Sequence, residues 1–274
     1  MRKHLLFARS PEWAAVAQRV DSLIAAPEFR TVKDEARTHA GLAAVGKQQV
    51  FVKRFDSGSW LNGWIERIRG SRAARSLKGA ALLASAGFAH PAPIAALEAR
   101  SMSSVRASYL IGEALDRARP LSQFIDRRVG PERRDFRWRQ QVSRCVAREV
   151  RRLHESGLYS SDLQETNLMV EQVGGDFRVY FVDLDGFHRL PRVPWKYRER
   201  NLIQLDRSVG RFVSRAQRIR FLLDYLGARP ARNRLHAMVG DLLERSRRKE
   251  REYQRRRKRR TARASLQPTR APER

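Results

Sequence analysis

Cysteine is almost absent: Cys145 is the only one among the 274 residues of this chain. A single thiol cannot form a disulfide within the chain, and it cannot supply the thiolate cluster of a structural zinc site. Hydrophobic runs are also short, and none reaches the roughly 18 to 20 residues that a membrane-spanning helix requires. The apolar stretch near the start is too short for a secretory signal. We therefore expect a soluble, cytoplasmic protein.

Acidic residues are scarce relative to basic ones. The chain has 57 lysines and arginines against 29 aspartates and glutamates, which gives a net charge of +28 and a pI near 11.5. Part of this charge is concentrated in residues 245–274, where basic residues far outnumber acidic ones. Such a field attracts nucleic acid, an anionic membrane surface or a phosphorylated substrate. Composition does not choose among these three partners.

The apolar pattern predicts strands in the first part of the chain and mainly helices in the second. Phe51–Phe55 reads as a strand, and Arg72–Ala86 reads as a helix that Gly87 terminates. Apolar residues within Trp138–Glu155 recur every three or four positions and define one helical face. Two short strands then flank a pair of glycines in "EQVGGDF". The combination indicates an α+β fold.

The segment 60–69 carries five large apolar residues at roughly helical spacing, with arginines among them. Packing into the core is the first expectation for this segment, and anchoring in a membrane interface is the second. The five are Trp60, Leu61, Trp64, Ile65 and Ile68.

Lys53 is the charged member of an otherwise apolar strand. It is either a lysine on an edge strand that faces water or the phosphate-binding lysine of a kinase. Asp162 and Asn167 follow a predicted helix with the D-x-x-x-x-N spacing of a kinase catalytic loop. In such a loop the aspartate accepts the proton of the attacking hydroxyl and the asparagine binds Mg²⁺. Residues of these types are also common in purely structural turns.

A further acidic position helps to decide between a kinase catalytic loop and a structural turn. The β-rich run "RVYFVDLDG" ends in an acidic turn, and a carboxylate at the end of a strand can complete a Mg²⁺ site. Asp183 follows the apolar run directly, so we assign it the metal-binding role in preference to Asp185. The order of lysine strand, helix, catalytic loop, hairpin and acidic turn favours a kinase.

From about Phe29 to Leu243 the chain resembles the bacterial lipopolysaccharide-core kinases, which phosphorylate Kdo or heptose sugars. The segments that carry the resemblance include "VFVKRF", "GSRAARSLKGAALLASAGFAHPAPIA", "LHESGLYSSDLQETNLMV", "VYFVDLDGFHR" and "RERNLIQLDRS". The resemblance implies a protein-kinase-like bilobal fold, with a small β-rich N-lobe and a mainly helical C-lobe. It also implies ATP as phosphate donor, Mg²⁺ as metal, and a sugar hydroxyl of the lipid A-core as acceptor.

The same resemblance assigns roles to individual residues. Lys53 and Asp162 are expected to be catalytic, and Asn167 and Asp183 are expected to bind the metal. Nucleotide binding is expected from Lys53 and from the hinge, where the backbone of Glu113 and Ala114 would hold adenine.

We divide the chain into four parts on this basis: an N-terminal extension (1–28), the N-lobe with its hinge (29–114), the C-lobe (115–246) and a basic, partly disordered tail (247–274). A lipid-linked acceptor places the protein on the cytoplasmic face of the inner membrane. The tail could then contact anionic lipid, at about 1 kcal/mol for each basic residue near the surface. Nucleic acid is the less expected partner.

Several positions depart from the kinase pattern. Ser160 and Ser161 stand where a histidine and an arginine usually precede the catalytic aspartate. Ser76 stands where the helix normally carries a glutamate that pairs with the strand lysine, and Glu66 is the nearest upstream acid. No G-x-G-x-x-G loop is present. The departures keep three alternatives open: a kinase for a protein or small molecule, a pseudokinase scaffold, and a nucleic-acid-binding protein that uses the tail.

Overall fold

The chain folds into a β-rich lobe followed by a mainly helical lobe. The structure is a computed structural model that describes residues 1–102, 104–125, 136–209, 213–227 and 232–265.

Strands dominate the first lobe and form small sheets in the second. In chain order they are β1 (Arg2–Ala8), β2 (Arg30–Glu35), β3 (Thr38–Val45), β4 (Gln48–Asp56), β5 (Pro93–Ser101), β6 (Ser104–Glu113), β7 (Arg119–Pro120), β8 (Leu158–Ser160), β9 (Leu168–Val173), β10 (Asp176–Phe181) and β11 (Phe187–Arg189).

Helices cover the first sheet and build the second lobe. In chain order they are α1 (Pro11–Gln18), α2 (Val20–Ala25), α3 (Trp60–Arg69), α4 (Arg72–Ser85), α5 (Leu121–Ile125), α6 (Phe136–Glu155), α7 (Trp195–Val209), α8 (Arg215–Leu226) and α9 (Arg232–Ser265). Single 3-10 turns lie at Glu165–Asn167 and Leu184–Gly186.

The N-lobe is one six-stranded antiparallel sheet with the order β1-β5-β6-β4-β3-β2. Residues 1–28, which the sequence sets apart as an extension, belong to this sheet. Their strand β1 pairs with β5 from Arg2 opposite Arg100 onward. Ala17 and Val20 of the following helices are buried in the sheet's apolar core.

The strands and helices predicted from the apolar pattern are confirmed. The predicted strand around Phe51 is β4, and the predicted helix from Arg72 is α4, followed by Gly87 with a φ of +71°. Strands β9 and β10 form the hairpin predicted around Gly174 and Gly175. The overall architecture is therefore the α+β, two-lobed arrangement that the sequence indicates.

The core of the C-lobe forms around α6. Its buried residues recur every three or four positions, so one face of a strongly basic helix is apolar while arginines cover the other. The hairpin β9–β10 and helices α7 and α8 pack on this face. Together they hold the loops between β8 and β11, where the polar residues of interest lie.

Helix α3 does not bury its apolar residues. All five large apolar side chains of this helix are exposed, up to 66% for Ile68. The first expectation, packing into the core, is wrong for this segment. The helix touches the sheet through Gly63 instead, where a Cβ would overlap the carbonyl oxygen of Val105.

The basic segment from residue 247 begins inside α9, which continues to Ser265. The disorder predicted for the end of the chain falls partly on residues 266–274, which lie outside the described residues. In the described part of the chain, no helix combines the length and apolarity needed to cross a membrane.

Candidate active site

Lys53 lies between the two lobes and contacts the acidic turn of the C-lobe. Strand β4 has β3 and β6 as neighbours, so it is an interior strand, and the edge-strand alternative for Lys53 is wrong. The Lys53 Nζ donates to Asp183 Oδ1 over 2.5 Å. Side-chain exposure is only 16% for the lysine and 25% for the aspartate. Two of the residues predicted to act together are therefore in direct contact.

The charge of Lys53 controls the ionisation of Asp183. Burial by itself raises the pKa of this carboxyl, but the charge of Lys53 and its hydrogen bond outweigh burial, with a smaller contribution from Arg72. The net effect is a pKa below the ordinary value. Asp183 therefore carries a full negative charge at neutral pH, which is the form that binds a cation.

Helix α4 fixes the acidic turn through Asp185. The Arg72 Nε donates to Asp185 Oδ2 over 2.7 Å, and a guanidinium nitrogen of Arg75 lies 3.9 Å from the same oxygen. Arg72 also donates to Thr38 Oγ1 of β3 and stacks over the ring of Phe55. One arginine thus ties the sheet, α4 and the acidic turn together. Asp185 is an anchor of the turn, in agreement with the choice of Asp183 for the metal.

Helix α4 also packs closely against the backbone of the acidic turn. Gly79 of α4 lies against Leu184, and a Cβ at this position would overlap the Leu184 carbonyl oxygen. Glycine in a helix interior costs roughly 0.5–1 kcal/mol relative to alanine. Here it permits α4 to contact the residue next to Asp183.

Lys53 is held in place without a glutamate from helix α4. Glu66 accepts a hydrogen bond from Ser57 Oγ over 2.9 Å and does not pair with Lys53. Ser76 is buried, and its hydroxyl donates to the Arg72 carbonyl within α4. Asp183 itself holds Lys53, while Arg72 takes over the link between α4 and the acidic turn.

The predicted catalytic loop brings Asp162, Asn167 and Asp183 to one place. The Gln164 Nε2 donates to Asp162 Oδ1 over 2.6 Å and orients this carboxylate. The Asn167 Nδ2 donates to the Asp162 carbonyl over 3.0 Å. The Asn167 carbonyl in turn accepts from the amide of Val182, the residue before Asp183. Three residues that the sequence singles out therefore share one hydrogen-bonded loop system.

Helix α7 holds the catalytic loop through side-chain hydrogen bonds to its backbone. Asn201 is fully buried, and its Nδ2 donates to the Ser160 carbonyl over 2.6 Å while its Oδ1 accepts from the Ser160 amide. Gln204 donates to the Ser161 carbonyl and accepts from the Leu163 amide. These two residues were not predicted as part of the site. Both lie in the segment "RERNLIQLDRS", which was quoted for its resemblance.

Ser160 and Ser161 take specific structural roles in this loop. Ser160 Oγ accepts a hydrogen bond from the Asp162 amide over 3.1 Å. The Ser161 amide donates to the carbonyl of Gly186 over 2.8 Å and joins the catalytic loop to the acidic turn. The missing histidine and arginine are thus replaced by hydroxyl and backbone contacts that position Asp162.

His154 completes the support of this loop. Its Nε2 faces Asn201 Oδ1 at 3.1 Å, and its Nδ1 faces the Tyr225 hydroxyl at 2.8 Å. Burial lowers the pKa of His154 to about 4, although the hydrogen bond to Asn201 opposes the shift. The imidazole is therefore neutral at physiological pH and acts as a hydrogen-bonding spacer between α6, α7 and α8.

The hinge follows β6. The Glu113 amide donates to the Ala92 carbonyl over 3.1 Å, and the Glu113 carboxylate pairs with Arg9 over 2.8 Å. Arg9 also donates to the Pro93 carbonyl, so the N-terminal segment fastens the hinge. Because the Glu113 amide is already used, an adenine ring would need a donor from another hinge residue, and Ala114 is the next one along the chain.

The donor set at the acidic turn suits Mg²⁺. This ion binds oxygen ligands, and in nucleotide sites it uses one or two carboxylates together with substrate phosphates. Asp183 supplies an ionised carboxylate and Asn167 an amide oxygen, to which no other described residue donates a hydrogen bond. Among the described residues there is no group of three or more His, Cys, Asp and Glu that could hold a metal without such phosphates.

The chain is similar to a known kinase family and to a solved structure. The model of the lipopolysaccharide kinase (Kdo/WaaP) family matches residues 60–225. A solved structure described as WaaP in complex with acyl carrier protein superposes with a TM-score of 0.65 at 22% identity, covering 92% of this chain and 99% of that one. This likeness confirms the two-lobed, kinase-like fold.

Individual relatives are similar over a shorter region. A 3-deoxy-D-manno-octulosonic acid kinase of Xylella fastidiosa strain 9a5c is 32% identical over 128 residues, which are 46% of this chain and 45% of the relative. The corresponding kinase of strain M23 is 31% identical over the same length and the same shares. The chain spans about half the length of the curated relatives it matches.

Proposed function

Because the chain belongs to the lipopolysaccharide kinase (Kdo/WaaP) family, we propose that it transfers the γ-phosphate of ATP to a sugar hydroxyl of the lipid A-core. The observation that carries the proposal is the meeting of Lys53, Asp162, Asn167 and Asp183 around one loop system. Two of the departures have substitutes in this arrangement: Arg72 links α4 to the acidic turn in place of the helix glutamate, and Gln164 and Ser160 position Asp162 in place of the usual histidine and arginine.

In the proposed reaction Asp162 orients the acceptor hydroxyl and accepts its proton as the oxygen attacks phosphorus. Gln164 keeps the carboxylate in place through its hydrogen bond to Oδ1. Lys53 leaves Asp183 when nucleotide binds and donates to the phosphates instead. Asp183 and Asn167 would then hold Mg²⁺, which supplies the positive charge that offsets charge spread over the transferring phosphoryl group.

Kdo is the sugar we propose first, and heptose is the alternative. The relatives with 31–32% identity are named as kinases of 3-deoxy-D-manno-octulosonic acid, which is Kdo. Their similarity extends over 128 residues, which are 46% of this chain.

Mass spectrometry of lipid A-core tests this function directly. Core from cells that produce the chain should be heavier by one phosphate than core from cells that lack it. Purified full-length protein with labelled ATP should transfer label to deacylated core oligosaccharide. Transfer to protein substrates with none to the oligosaccharide would contradict the choice of acceptor, and failure to bind Mg·ATP in a thermal-shift titration would point to a pseudokinase.

We further propose that the protein works at the cytoplasmic face of the inner membrane, with α3 against the bilayer. Exposed Trp60, Trp64 and Ile68 share this helix with Arg67 and Arg69, which is the composition of a helix that lies in a membrane interface.

A second element adds to the same surface. The Ser104 hydroxyl donates to the Trp60 carbonyl, so the turn between β5 and β6 adjoins α3. Met102 in this turn is 96% exposed. Met102 lies two residues before Ser104 and adds an exposed apolar side chain to those of α3, which also carries arginines that attract anionic lipid.

Vesicle sedimentation tests the membrane proposal. Full-length protein should sediment with vesicles of phosphatidylglycerol and phosphatidylcholine, and the Trp60→Ser/Trp64→Ser variant should lose most of this binding. Val32→Ser is the control, because Val32 is an exposed apolar residue on β2. Equal sedimentation of all three proteins would contradict a role for α3.

A further inference from the structure

Asp162 forms part of the wall of a cavity of about 820 Å³ in the C-lobe. This volume lies within the range of small-molecule binding sites. Every residue that lines the cavity is polar, which suits a hydroxylated ligand and not an acyl chain. The lining residues are Asp162, Gln164, Glu165, Thr166, Gln204, Asp206, Arg207, Ser208, Arg218, Ser246, Arg247, Glu250, Arg251 and Gln254.

Two ion pairs join four of the eight charged residues that line this cavity. Arg207 lies 3.4 Å from Glu250, and Arg218 lies 3.3 Å from Asp206. Asp206 additionally accepts a hydrogen bond from Ser246 of α9 over 2.6 Å. The contacts of Ser246 and Glu250 fasten α9 to α7, so residues 246–254 in the middle of α9 form part of the cavity wall.

Arg247 and Arg251 are the two arginines of the lining that lie outside these pairs. They are four residues apart on α9 and therefore share one face of the helix. Both side chains are exposed, and within the described residues neither forms an ion pair. The cavity thus has a carboxylate on the side of Asp162 and two available guanidinium groups on the side of α9.

We propose that Arg247 and Arg251 bind a negatively charged group of the sugar acceptor while a hydroxyl of the same molecule faces Asp162. The charged group is a carboxylate or a phosphate, since guanidinium binds either through two parallel hydrogen bonds. The inference rests on the proposed kinase function, because it names the acceptor for that site. It gives part of the basic segment a function in substrate selection, separate from any contact with membrane.

Three acceptors separate the possible charged groups. The methyl glycoside of Kdo carries a carboxylate and no phosphate, its carboxyl-reduced form is neutral, and deacylated Kdo-lipid A carries both groups. Steady-state kinetics with the full-length protein should give the KM for each acceptor and for ATP. The same acceptors should be titrated by calorimetry without ATP, so that binding is measured independently of turnover.

The variant is Arg247→Gln/Arg251→Gln, and the matched control is Arg248→Gln/Arg255→Gln. The control removes the same charge from exposed positions on the same helix that do not line the cavity. We expect the variant to raise KM for the methyl glycoside at least tenfold, with kcat and the KM for ATP within about twofold of the original values. The control should match the unsubstituted protein, and the neutral acceptor should not distinguish the variant from it.

Other results would identify the charged group or separate a failure of the arginine site from a failure of the kinase function. An effect confined to deacylated Kdo-lipid A would identify the charged group as phosphate. Equal KM values for variant and control with all acceptors would overturn the assignment of the arginines while leaving the kinase intact. Binding that depends on the arginines without any phosphate transfer would support the arginine site and overturn the kinase function, and loss of both would overturn both.

Discussion

Lys53 and Asp183 are separated by 130 positions in the chain, yet their side chains form a hydrogen-bonded ion pair between the two lobes. The pair joins a strand of the N-lobe to the acidic turn of the C-lobe. Nucleotide binding would exchange this contact for one with phosphate and metal. The lysine and the aspartate therefore stabilise each other until the substrate replaces the contact.

The first prediction concerns the stability of this pair. Lys53→Met should lower the free energy of unfolding by about 2 kcal/mol, because it leaves a largely buried carboxylate without its partner. Lys53→Met/Asp183→Asn should lose less than the sum of the two single variants. Urea unfolding without nucleotide measures both effects. Lys47→Met, at an exposed turn, is the control, and strictly additive effects would contradict the coupling.

The pKa of Asp183 fixes the pH range of that coupling. Since this pKa is lowered in the folded protein, the unfolded state binds the proton more readily. The stabilisation is complete above the unfolded pKa of about 4 and is lost as pH falls through the folded value. If the coupling energy between Lys53 and Asp183 grew as the pH was lowered, this would contradict a lowered pKa of Asp183 in the folded protein.

The second prediction tests the base. Asp162→Asn should reduce kcat by roughly 10²–10⁴-fold, because the amide cannot accept the hydroxyl proton. Binding of Mg·ATP should stay within a few-fold, since Asn167 and Asp183 are unchanged. Asp176→Asn removes the same charge from the exposed end of the β9–β10 hairpin and should have no effect on kcat. Full sugar phosphorylation by Asp162→Asn would show that another group takes the proton.

The third prediction uses two glycines in helices. Gly79→Ala should destabilise the protein and weaken Mg·ATP binding, because the added Cβ pushes α4 away from Leu184, next to Asp183. Gly240→Ala in α9 meets nothing within 4 Å and should stabilise the protein by about 0.5–1 kcal/mol through helix propensity. Thermal unfolding with and without Mg·ATP measures both changes. A Gly79→Ala protein as stable as Gly240→Ala would mean that this close contact has no importance.

The fourth prediction is a pH dependence of stability. His154 has a folded pKa of about 4 against an unfolded value near 6.5, so the unfolded state takes up a proton first as pH falls. Stability from the neutral imidazole is complete above pH 6.5 and declines toward pH 4, by about 3 kcal/mol in total. Urea unfolding at pH 7.5, 5.5 and 4.5 measures this decline.

His154→Gln should have a flatter pH dependence over the same range. His188 provides a smaller effect of the same sign in both proteins, because burial and the nearby charge of Lys78 also lower its pKa. The difference between the two proteins isolates His154. Identical slopes would exclude it as the titrating group.

The candidate site residues could be predicted because each follows a local pattern. Asp162 and Asn167 lie in one short loop, and Asp183 ends an apolar strand, so spacing along the chain singles them out as candidates and the family resemblance gives them roles. Which acid would pair with Lys53 could not be predicted in this way. Glu66 and Asp183 are both acids at plausible distances in sequence, and only the packing of the two lobes decides between them.

The prediction that α3 packs into the core fails because its packing partner lies far away in sequence. The apolar residues of α3 have the spacing of a core helix, but the helix packs through Gly63, so its large side chains remain outside. Arg72 and Gln204 resemble ordinary surface residues in the sequence. Their importance comes from contacts with Asp185 and the catalytic loop, which no local pattern contains.

The pairing of β1 with β5 has a consequence for synthesis of the protein. Arg2 leaves the ribosome about a hundred residues ahead of its partner Arg100. At roughly 5–20 residues per second, β1 stays unpaired for several seconds. The hinge shares this delay, because Arg9 cannot fasten Glu113 until β6 has emerged. The sheet is therefore complete only after β6 has emerged between β5 and β4, and β1 waits longer for its first neighbour than any other strand of this sheet.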